Sequence, residues 1–363
     1  MTVSIRKKVL HFGYSGYHQP GVLSQLKAEC VASRRLGIDW DVVFFSHENS
    51  REKFVKSTTL SNGHSNAVSK VYRYFYLRFY IFFWLARHRG GWDVVLLRNV
   101  PGDPFIYLVS LLFKKYITVH HSKEHEEVAL MPRFSGWVGR LYEKALGPRV
   151  LQSGQGVIAV TQELIDYELS RLDRVKAGFV FPNGITVNAN KRFNDRRSGV
   201  YKLIGVYSQD YEWNGLDYIY DELRNNDRTD IEIHLVGKLK PICEDCRIVY
   251  HGVMRAEQLE ELYSQMDVGL GVFGLHRKSM NEACTLKSRE YLANGLGVYA
   301  GHKDSALPLD FAYYCSGVFN LNKAVELAKG FRKVKKEEVF CDSVEFVDKA
   351  SRLSKLYAWI QSL

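Results

Sequence analysis

The sequence predicts an α/β protein with two doubly wound domains, each built on a parallel β-sheet. Short runs rich in Val, Ile, Leu and Phe alternate with helical stretches, which is the pattern of parallel strands covered by helices on both faces. The polar, Asn- and Arg-rich segment 181–202 interrupts this alternation once. A chain of 363 residues is also too long for one ordinary core. These three observations indicate two domains that meet near residue 185.

The first domain begins with a predicted strand over residues 7–14, a loop from Gly13 to Gly21 and a helix over 22–36. Further strands are predicted over 40–46, 92–98, 116–122 and 156–162, with helices over 68–88 and 103–115. We therefore assign residues 1–185 to an N-terminal α/β domain.

The alternation restarts after the polar segment. Strands are predicted over 202–208, 231–237, 247–252 and 267–273, and helices over 215–225 and 256–265. Residues 186–342 are therefore assigned to a second doubly wound domain, followed by a terminal helix over 343–363. Because ligands of such folds bind at the carboxyl ends of the strands, we expect the functional residues at these edges.

The composition indicates a globular protein with an acidic partner. Hydrophobic residues make up 46% of the chain, which is enough for two cores. A formal net charge of +10 suits a phosphorylated substrate, an anionic lipid or a nucleic acid. The sequence contains no zinc-finger, RNP-type or P-loop pattern, and its cations do not cluster into one stripe, so we expect no nucleic acid partner.

The sequence predicts neither a membrane span nor an export signal. The longest apolar run, residues 79–86, is far shorter than the ~20 residues that cross a bilayer. The first residues lack the apolar core of a signal peptide, so we expect a cytoplasmic protein. One C-x-x-C pair, Cys243 and Cys246, lacks the second pair of a zinc site, and we expect reduced thiols without metal.

The helix predicted over 68–88 is rich in aromatic residues and cations. One face carries five side chains at helical spacing: Phe75, Phe79, Phe82, Phe83 and Ala86. Another arc carries three cations: Lys70, Arg73 and Arg78. We expect the aromatic face to pack in the core, since Phe and Tyr are common core residues. The alternative is that this face lies in an anionic membrane surface.

Residues 281–301 combine two acids and a base with the start of a short helix. Lys287 and Glu290 are three residues apart and share a helix face, whereas Glu282 lies on the preceding loop. A helix N-terminus has free amide groups and a partial positive charge, which suit a diphosphate, and carboxylates accept hydrogen bonds from sugar hydroxyls. The alternative is a surface helix with an ordinary Lys–Glu pair. The pattern favours a phosphorylated, hydroxyl-rich ligand.

This segment resembles the Glu-x7-Glu signature of retaining glycosyltransferases of the GT-B fold, the family 4 group of nucleotide-sugar-dependent enzymes. Glu282 and Glu290 match the two acids, and residues 290–295 match the helix with its glycine stop, although Gly297 stands where proline is usual. Other segments resemble the family in the same order: Pro-Asn-Gly at 182–184, and the runs 206–219, 233–237 and 250–254. The resemblance therefore covers most of the chain.

The resemblance implies two Rossmann-like domains facing across a cleft, and hexosyl transfer from a nucleotide diphosphate-sugar to an acceptor hydroxyl with retention of configuration. It implies no metal: amide groups and Lys287 would stabilise the departing diphosphate. Glu282 and His120 would contact the transferred sugar as catalytic residues, and Glu290 would accept from the ribose. The expected role is surface polysaccharide or glycolipid assembly of the bacterial type. The acceptor is then a glycan or a lipid-linked compound, and the protein is peripheral at the inner face of the membrane.

One loop departs from the family. After the strand at 202–208 the family commonly has an arginine and a lysine for the diphosphate, whereas this chain has Ser208 or Gln209 and then Asn214. Lys287 is the main replacement, with Arg277, Lys278 and Arg289 nearby. The expected donor-binding residues are Gly16, Gly21, Asn214, Arg277, Lys278, Lys287 and Glu290.

The remaining candidates are separated by whether they lie at the carboxyl ends of the strands, where ligands of such folds bind. His120 and its alternative, His121, lie at the exit of a strand, on the edge where ligands bind. The alternative is that His120 has a structural role, with its ring nitrogens hydrogen-bonded within the protein. Asp39 and Asp41 have the D-x-D form of some metal sites but lie where a strand begins, at the edge opposite to the one that binds ligands, so we assign them a structural role.

Two other functions remain open. A nucleotide-sugar epimerase or hydrolase of the GT-B fold would use the same site. A non-catalytic nucleotide-sugar or glycan-binding protein would also explain the loop without the usual cations.

Overall fold

The computed structural model describes residues 6–58, 67–129, 133–197, 199–242 and 244–363. These residues form two compact α/β units. The first unit contains the chain up to Pro182 together with Lys349–Leu363, and the second contains Asn183–Asp348. The sequence analysis placed the corresponding borders after residues 185 and 342. The chain therefore leaves the first unit once and returns to it with its last helix.

Within the described residues, a seven-stranded parallel sheet forms the centre of the first unit. Its strands are β1 (Val9–Tyr14), β2 (Trp40–Ser46), β3 (Val55–Ser57), β4 (Val94–Arg98), β5 (Tyr116–His120), β6 (Gly156–Ala159) and β7 (Ala177–Val180). They lie in the order β3-β2-β1-β4-β5-β6-β7, and every neighbouring pair is parallel. The prediction of a doubly wound parallel sheet is confirmed for this unit.

Helices cover both faces of this sheet. They are α1 (Pro20–Leu36), α2 (Ala67–His88), α3 (Phe105–Ser110), α4 (Glu124–Ala129), α5 (Arg133–Ala145), α6 (Gly147–Ser153), α7 (Gln162–Ser170) and the last helix of the chain, Lys349–Ser362. One core cluster joins the sheet to α1 and the last helix, and another joins it to α2, α3 and α6. The helix predicted over 103–115 is shorter than expected, since α3 begins at Phe105 and ends at Ser110.

Helix α2 packs on the sheet with a different face from the one expected. Its buried residues are aliphatic: Leu77, Ile81 and Leu85. Three of the four phenylalanines on the predicted face are largely exposed, with Phe75 at 52%, Phe79 at 61% and Phe83 at 68%, whereas Phe82 is partly buried against the core. The sheet itself supplies the large rings on this side, among them Phe12 and Phe45, and the aliphatic residues pack against them. The expectation that the aromatic face lies in the core is therefore wrong.

The described part of the second unit contains a six-stranded parallel sheet. Its strands are β8 (Tyr201–Gln209), β9 (Ile231–Lys238), β10 (Ile248–Gly252), β11 (Val268–Leu270), β12 (Gly297–Ala300) and β13 (Tyr314–Ser316). They lie in the order β10-β9-β8-β11-β12-β13, all parallel. This is the strand order of dinucleotide-binding folds, in which the winding direction reverses beside the first strand.

The helices of the second unit are α8 (Leu216–Arg224), α9 (Ala256–Gln265), α10 (Leu286–Ala293), α11 (Leu321–Arg332) and α12 (Lys336–Val347). The chain then continues into α13 (Lys349–Ser362) of the first unit. A single helix over 343–363 was expected, but Asp348 is extended and ends α12 there. In the described residues, we find no helix with the length and apolar character needed to cross a bilayer.

Candidate functional site

The loops that follow β8 and β11 join at the point where the winding of the second sheet reverses. The amide of Phe273 donates to the carbonyl of Asn214 over 2.9 Å, and the amide of Gly274 donates to Trp213. Gly215 has a positive φ of 72°, and a Cβ atom there would lie 2.7 Å from the nitrogen of Gly274. Only glycine therefore allows the two loops to approach this closely. Ligands of this fold class bind at such a reversal.

Three of the predicted donor-binding residues belong to these loops, and each is already engaged. The side chain of Asn214 is buried and donates to the carbonyl of Gln209. Arg277 forms an ion pair with Asp217 and donates to the carbonyl of Glu212. Lys278 lies over the ring of Trp213, with 4.7 Å from Nζ to the centroid. In this structure these side chains stabilise the loops.

Helix α10 begins beside this edge, in the connection between β11 and β12. Thr285 caps it: the Thr285 hydroxyl accepts from the amide of Ser288 over 3.3 Å. The amides of Leu286 and Lys287 precede the first hydrogen-bonded turn, so no carbonyl within the helix satisfies them. Asn294 and Gly295 end the helix, and Gly295 has φ 70°. The expected arrangement of an open N-terminus and a glycine stop is present.

Lys287 and Glu290 lie on the first turns of α10 and are both half-buried. Burial lowers the pKa of Lys287, and the charge of Glu290 opposes this shift. Burial likewise raises the pKa of Glu290, and Lys287 opposes it. Each charge therefore lacks full solvation and is partly compensated by the other. A ligand with an anionic group and hydroxyls would add partners for both.

Glu282 lies on the loop before α10, and this loop pairs with the loop that follows β12. Glu282 forms a parallel bridge with Lys303, and the amide of Ala283 donates to the carbonyl of Lys303. The hydroxyl of Ser305 donates to the Glu282 carboxylate over 2.8 Å. Lys303 and Ser305 were not predicted as neighbours of the site, because nothing in their spacing marks them. The backbone pairing with Lys303 and the hydrogen bond from Ser305 together fix the position of the Glu282 side chain.

Arg289 is not available to a ligand, contrary to its place among the nearby cations. It is fully buried and forms an ion pair with Asp304. One of its terminal nitrogens also lies 3.2 Å from the sulfur of Cys284. The carbonyl of Cys284 accepts from the side chain of Asn183, the residue of the Pro-Asn-Gly motif. Arg289 thus holds the base of the α10 loop in place.

In the first unit, the loop after β1 leads into the N-terminus of α1. Gly16 is exposed on this loop. Gly21 lies in the first turn of α1 rather than in the loop where it was expected, because the helix begins at Pro20. Gln19 provides no side-chain cap, so the first amides of α1 are a second open helix end at a carboxyl edge.

His120 ends β5 and lies in a cluster of buried charges. Its Nδ1 is 3.1 Å from Glu124 of α4 and 3.7 Å from Glu168 of α7. Arg171 pairs with Glu168 over 2.8 Å and with Glu143 over 2.9 Å. Burial alone lowers the pKa of His120, but the charges of Glu124 and Glu168 raise it to about 9. Sequence reasoning found His120 and missed both glutamates, which come from other elements.

His121, the alternative to His120, has the opposite environment. Its Nε2 lies 2.5 Å from a terminal nitrogen of Arg98 on β4, so the neutral ring accepts from this cation. Burial, together with the charge of Arg98, lowers the pKa of His121 well below its usual range.

Among the residues that the structure describes, one group has side chains close enough to hold a metal ion: His120, Glu124 and Glu168. Burial, with Glu124 adding to it and His120 opposing it, raises the pKa of Glu168 to about 7. Because Arg171 pairs with Glu168 and His120 Nδ1 lies close to both carboxylates, we assign the group to an ion-paired cluster. Of the C-x-x-C pair, Cys243 lies outside the described residues, and Cys246 is exposed.

The comparisons with known proteins rest on structure alone. No protein-family model matches the chain, and no curated protein matches its sequence. The apo form of the lipopolysaccharide outer core galactosyltransferase WaaB superposes with a TM-score of 0.61 at 12% identity, over 98% of this chain and 100% of that one. Anabaena HepE in complex with UDP and glucose gives 0.64 at 12%, again over 98% and 100%.

A third structure, WaaG, a glycosyltransferase involved in lipopolysaccharide biosynthesis, gives a TM-score of 0.58 at 15% identity, over 97% of this chain and 99% of that one. These similarities span both units, and both sheets have the topology described above. The chain therefore has the two-domain, Rossmann-like GT-B fold, and that expectation is confirmed.

Proposed function

We propose that the chain is a retaining, family 4-like glycosyltransferase, which transfers a sugar from a nucleotide diphosphate-sugar to an acceptor hydroxyl. The observation that carries this proposal is the arrangement around α10: an open helix N-terminus, Lys287 and Glu290 on its first turns, and Glu282 on the loop before it. All three side chains lie at the carboxyl edge of a doubly wound sheet, in a chain with the GT-B fold.

In the proposed reaction, the bond between the anomeric carbon and the diphosphate oxygen breaks, and a new bond to the acceptor oxygen forms on the same face. The acceptor proton passes to the departing phosphate oxygen. Negative charge grows on the diphosphate during this step, and the α10 amides with Lys287 stabilise it without a metal ion. Glu290 accepts from the ribose hydroxyls, whereas Glu282 and His120 orient the transferred sugar.

Two further observations support a nucleotide-sugar donor. The structure of HepE contains UDP and glucose, and another similar structure, an α-glucosyltransferase, contains UDP-glucose. In this chain the half-buried Lys287 and Glu290 each lack part of their solvation, so a ligand that pairs with both is favourable.

The first test is a thermal-shift screen with UDP, GDP, ADP and CMP and their sugar conjugates, because selective binding raises the melting temperature. Replacing Glu290 by Gln removes a charged acceptor, and we expect roughly ten- to hundredfold weaker binding of the selected nucleotide. Glu282→Gln should leave binding of the free nucleotide unchanged but weaken binding of its sugar conjugate.

Turnover is the second part of this test. Both variants should reduce transfer to an acceptor panel at least tenfold, whereas Glu326→Gln, at an exposed glutamate of α11, should leave it unchanged. Wild-type transfer rates in both site variants would contradict the assignment, provided that all three proteins melt at similar temperatures.

A non-catalytic binding protein is the second candidate, favoured by one observation. The loop that commonly brings cations to the diphosphate here contains Asn214, and the expected substitutes Arg277 and Lys278 contact Asp217 and Trp213 of the neighbouring segment instead. Calorimetry that detects nucleotide-sugar binding without transfer or hydrolysis would favour this function. Release of free sugar in water, without acceptor, would instead indicate a hydrolase.

For the partner, we propose an anionic membrane surface in the cytoplasm that presents a lipid-linked or glycan acceptor. The exposed aromatic residues of α2 border an apolar groove of about 490 Å³, together with Phe105, Leu108 and Leu146. Residues 67–88 contain four Lys or Arg residues and no Asp or Glu. Asp103, which precedes the lining residue Pro104, is buried and paired with Arg78. An apolar face with cations around it suits anionic lipid headgroups.

Co-sedimentation with liposomes tests this surface. We expect binding to anionic vesicles that weakens as salt is raised, and little binding to zwitterionic vesicles. The double variant Phe79→Ser/Phe83→Ser should abolish it, whereas Val318→Ser, which removes a still more exposed apolar residue of the second unit, should not. Absence of binding at low salt would exclude the membrane as partner and would leave the proposal for the donor site unchanged.

A further inference from the structure

The buried cluster around His120 has two side-chain atoms without a hydrogen-bond partner among the described residues, His120 Nε2 and Glu168 Oε1. His120 Nδ1 faces the carboxylates of Glu124 and Glu168, and all three side chains are at most 2% exposed. On the opposite side of the ring, Nε2 is buried and has no hydrogen-bond partner among the described residues. A buried nitrogen without a partner is costly, so proteins rarely leave one without a reason. Because β5 ends at His120, the ring lies at the ligand-binding edge of the first sheet.

We propose that Glu124 and Glu168 are positioning residues that keep His120 doubly protonated, so that its Nε2–H is a fixed, charged donor for an oxygen of the bound sugar donor. This inference rests on the proposed function. It also decides how His120 acts there: an imidazolium has two N–H groups and no acceptor, so it donates and cannot accept.

The charges around the ring favour this state. Glu124 approaches from α4 and Glu168 from α7, and both raise the pKa of His120, whereas Arg171, which follows α7 and pairs with Glu168, lowers it by a smaller amount. On the strand side, His121 accepts a hydrogen bond from Arg98, and burial together with the charge of Arg98 lowers the pKa of His121. The charged groups around these two adjacent imidazoles therefore shift their pKa values in opposite directions. A charged donor forms shorter and stronger hydrogen bonds than a neutral one, which suits an oxygen that gains negative character.

The state of His120 is measured without any substrate. Full-length protein with labelled histidine is titrated by NMR in the presence of EDTA, with the His120 signals assigned from their loss in His120→Gln and His276 as an exposed reference. We expect His120 to remain doubly protonated at pH 7.5. A neutral ring at that pH overturns the proposal. Binding of added Zn²⁺ at His120 overturns it as well, since the cluster would then be a metal site.

The two glutamates are then tested singly. Glu124→Gln and Glu168→Gln keep the size of the side chain and remove its charge, so each should lower the His120 midpoint by at least one pH unit, a tenfold change in the ratio of the two forms. The matched controls are Glu126→Gln, at an exposed position of α4, and Glu163→Gln on α7, where the wild-type carboxylate pairs with Lys123. Equal shifts in variants and controls would overturn the assignment.

The role of the charge on His120 is tested through the response of its NMR signal to ligands and through the rate of transfer. Addition of the nucleotide-sugar selected by the thermal-shift screen should shift the His120 Nε2 signal, whereas the free nucleotide should not. In Glu124→Gln the alkaline fall of kcat should move to lower pH together with the His120 midpoint, with little change in KM. If the glutamates control the charge but no nucleotide-sugar shifts the signal, the positioning role is overturned. Failure of the screen itself counts against the proposed function and leaves the titration result intact.

Discussion

The pKa values of two histidines that follow one another in the chain shift in opposite directions, because the two rings have different charged neighbours. His120 and His121 both lie at the end of β5, and burial disfavours the charged form of each. Carboxylates from two helices reverse this effect for His120, whereas Arg98 strengthens it for His121. The chemistry available at this edge therefore depends on side chains that are distant in sequence.

The stability of the first unit should depend on pH through His120. Its pKa in the folded protein, about 9, lies above the ordinary value of 6.5 in the unfolded chain. The contribution is therefore fully present below pH 6.5 and is lost as the pH rises toward 9. We expect the free energy of unfolding to fall across this window in wild type and to fall less in His120→Gln. Denaturant unfolding at pH 6.5, 7.5 and 9 measures this, and parallel curves for the two proteins would contradict it.

At the residue scale the sequence predicted types and positions better than partners. Glu282, Lys287 and Glu290 lie on the loop and helix where the spacing placed them. The partners of Arg289 and Glu282, namely Asp304 and Ser305, come from the loop after β12, and no local pattern marks them. Backbone pairing between two loops brings these residues together, which a one-dimensional pattern does not show.

Individual elements were predicted well where one physical property determined them. Buried parallel strands are continuous apolar runs, so nearly all of the long strands were found. Four short strands were missed: β3, β7, β12 and β13. The edge strands β3, β7 and β13 are at most half-buried and lack that signal, and β12 is buried but has only four residues. Helix α2 was predicted with nearly the right ends, but the prediction of its contact face was wrong. The helical spacing of apolar residues alone does not say which apolar face packs on the sheet.

Substitutions on the two faces of α2 should separate in their effect on stability. Ile81 is fully buried, so Ile81→Ala should destabilise the first unit by about 2–5 kcal/mol. Phe79→Ala removes a larger side chain from an exposed position and should change stability by no more than about 0.5 kcal/mol. Urea unfolding followed by a probe in the first unit measures both. A larger loss from Phe79→Ala would show that the aromatic face is covered in solution.

For the whole molecule, the division into units depends on two crossings of the chain. The first follows Pro182, within the polar segment that the sequence marked as a boundary. The second follows Asp348, where one extended residue separates α12 from α13. Two adjoining helical stretches give a nearly continuous helical pattern, so the second crossing was less visible in the sequence. The last helix then fills the first core with three fully buried residues: Leu353, Leu356 and Ile360.

Lys349, the first residue of α13, should be essential for the stability of the first unit. Its Nζ lies 3.2 Å from Glu29 of α1 and 3.1 Å from the oxygen of Gln25, and His11 of β1 lies 2.7 Å from the same carboxylate. Burial alone raises the pKa of Glu29, but His11 and Lys349 lower it to about 2. Lys349→Met leaves a buried carboxylate with one partner fewer, and we expect a loss of about 3–5 kcal/mol.

The pH dependence distinguishes this ion pair from simple packing. Because the folded pKa of Glu29 lies below its unfolded value of about 4.5, the contribution is present above pH 4.5 and is lost as the pH falls toward 2. Lys349→Met should therefore cost most near neutral pH and progressively less in acid. Hydrogen exchange resolves the two units: amides of β1 and α1 should lose protection, while those of β8 and β9 keep it. The control Lys355→Met, exposed on the same helix, should change neither set. Equal loss of protection in both units would mean that they unfold together, and that α13 stabilises the whole molecule rather than the unit whose core it completes.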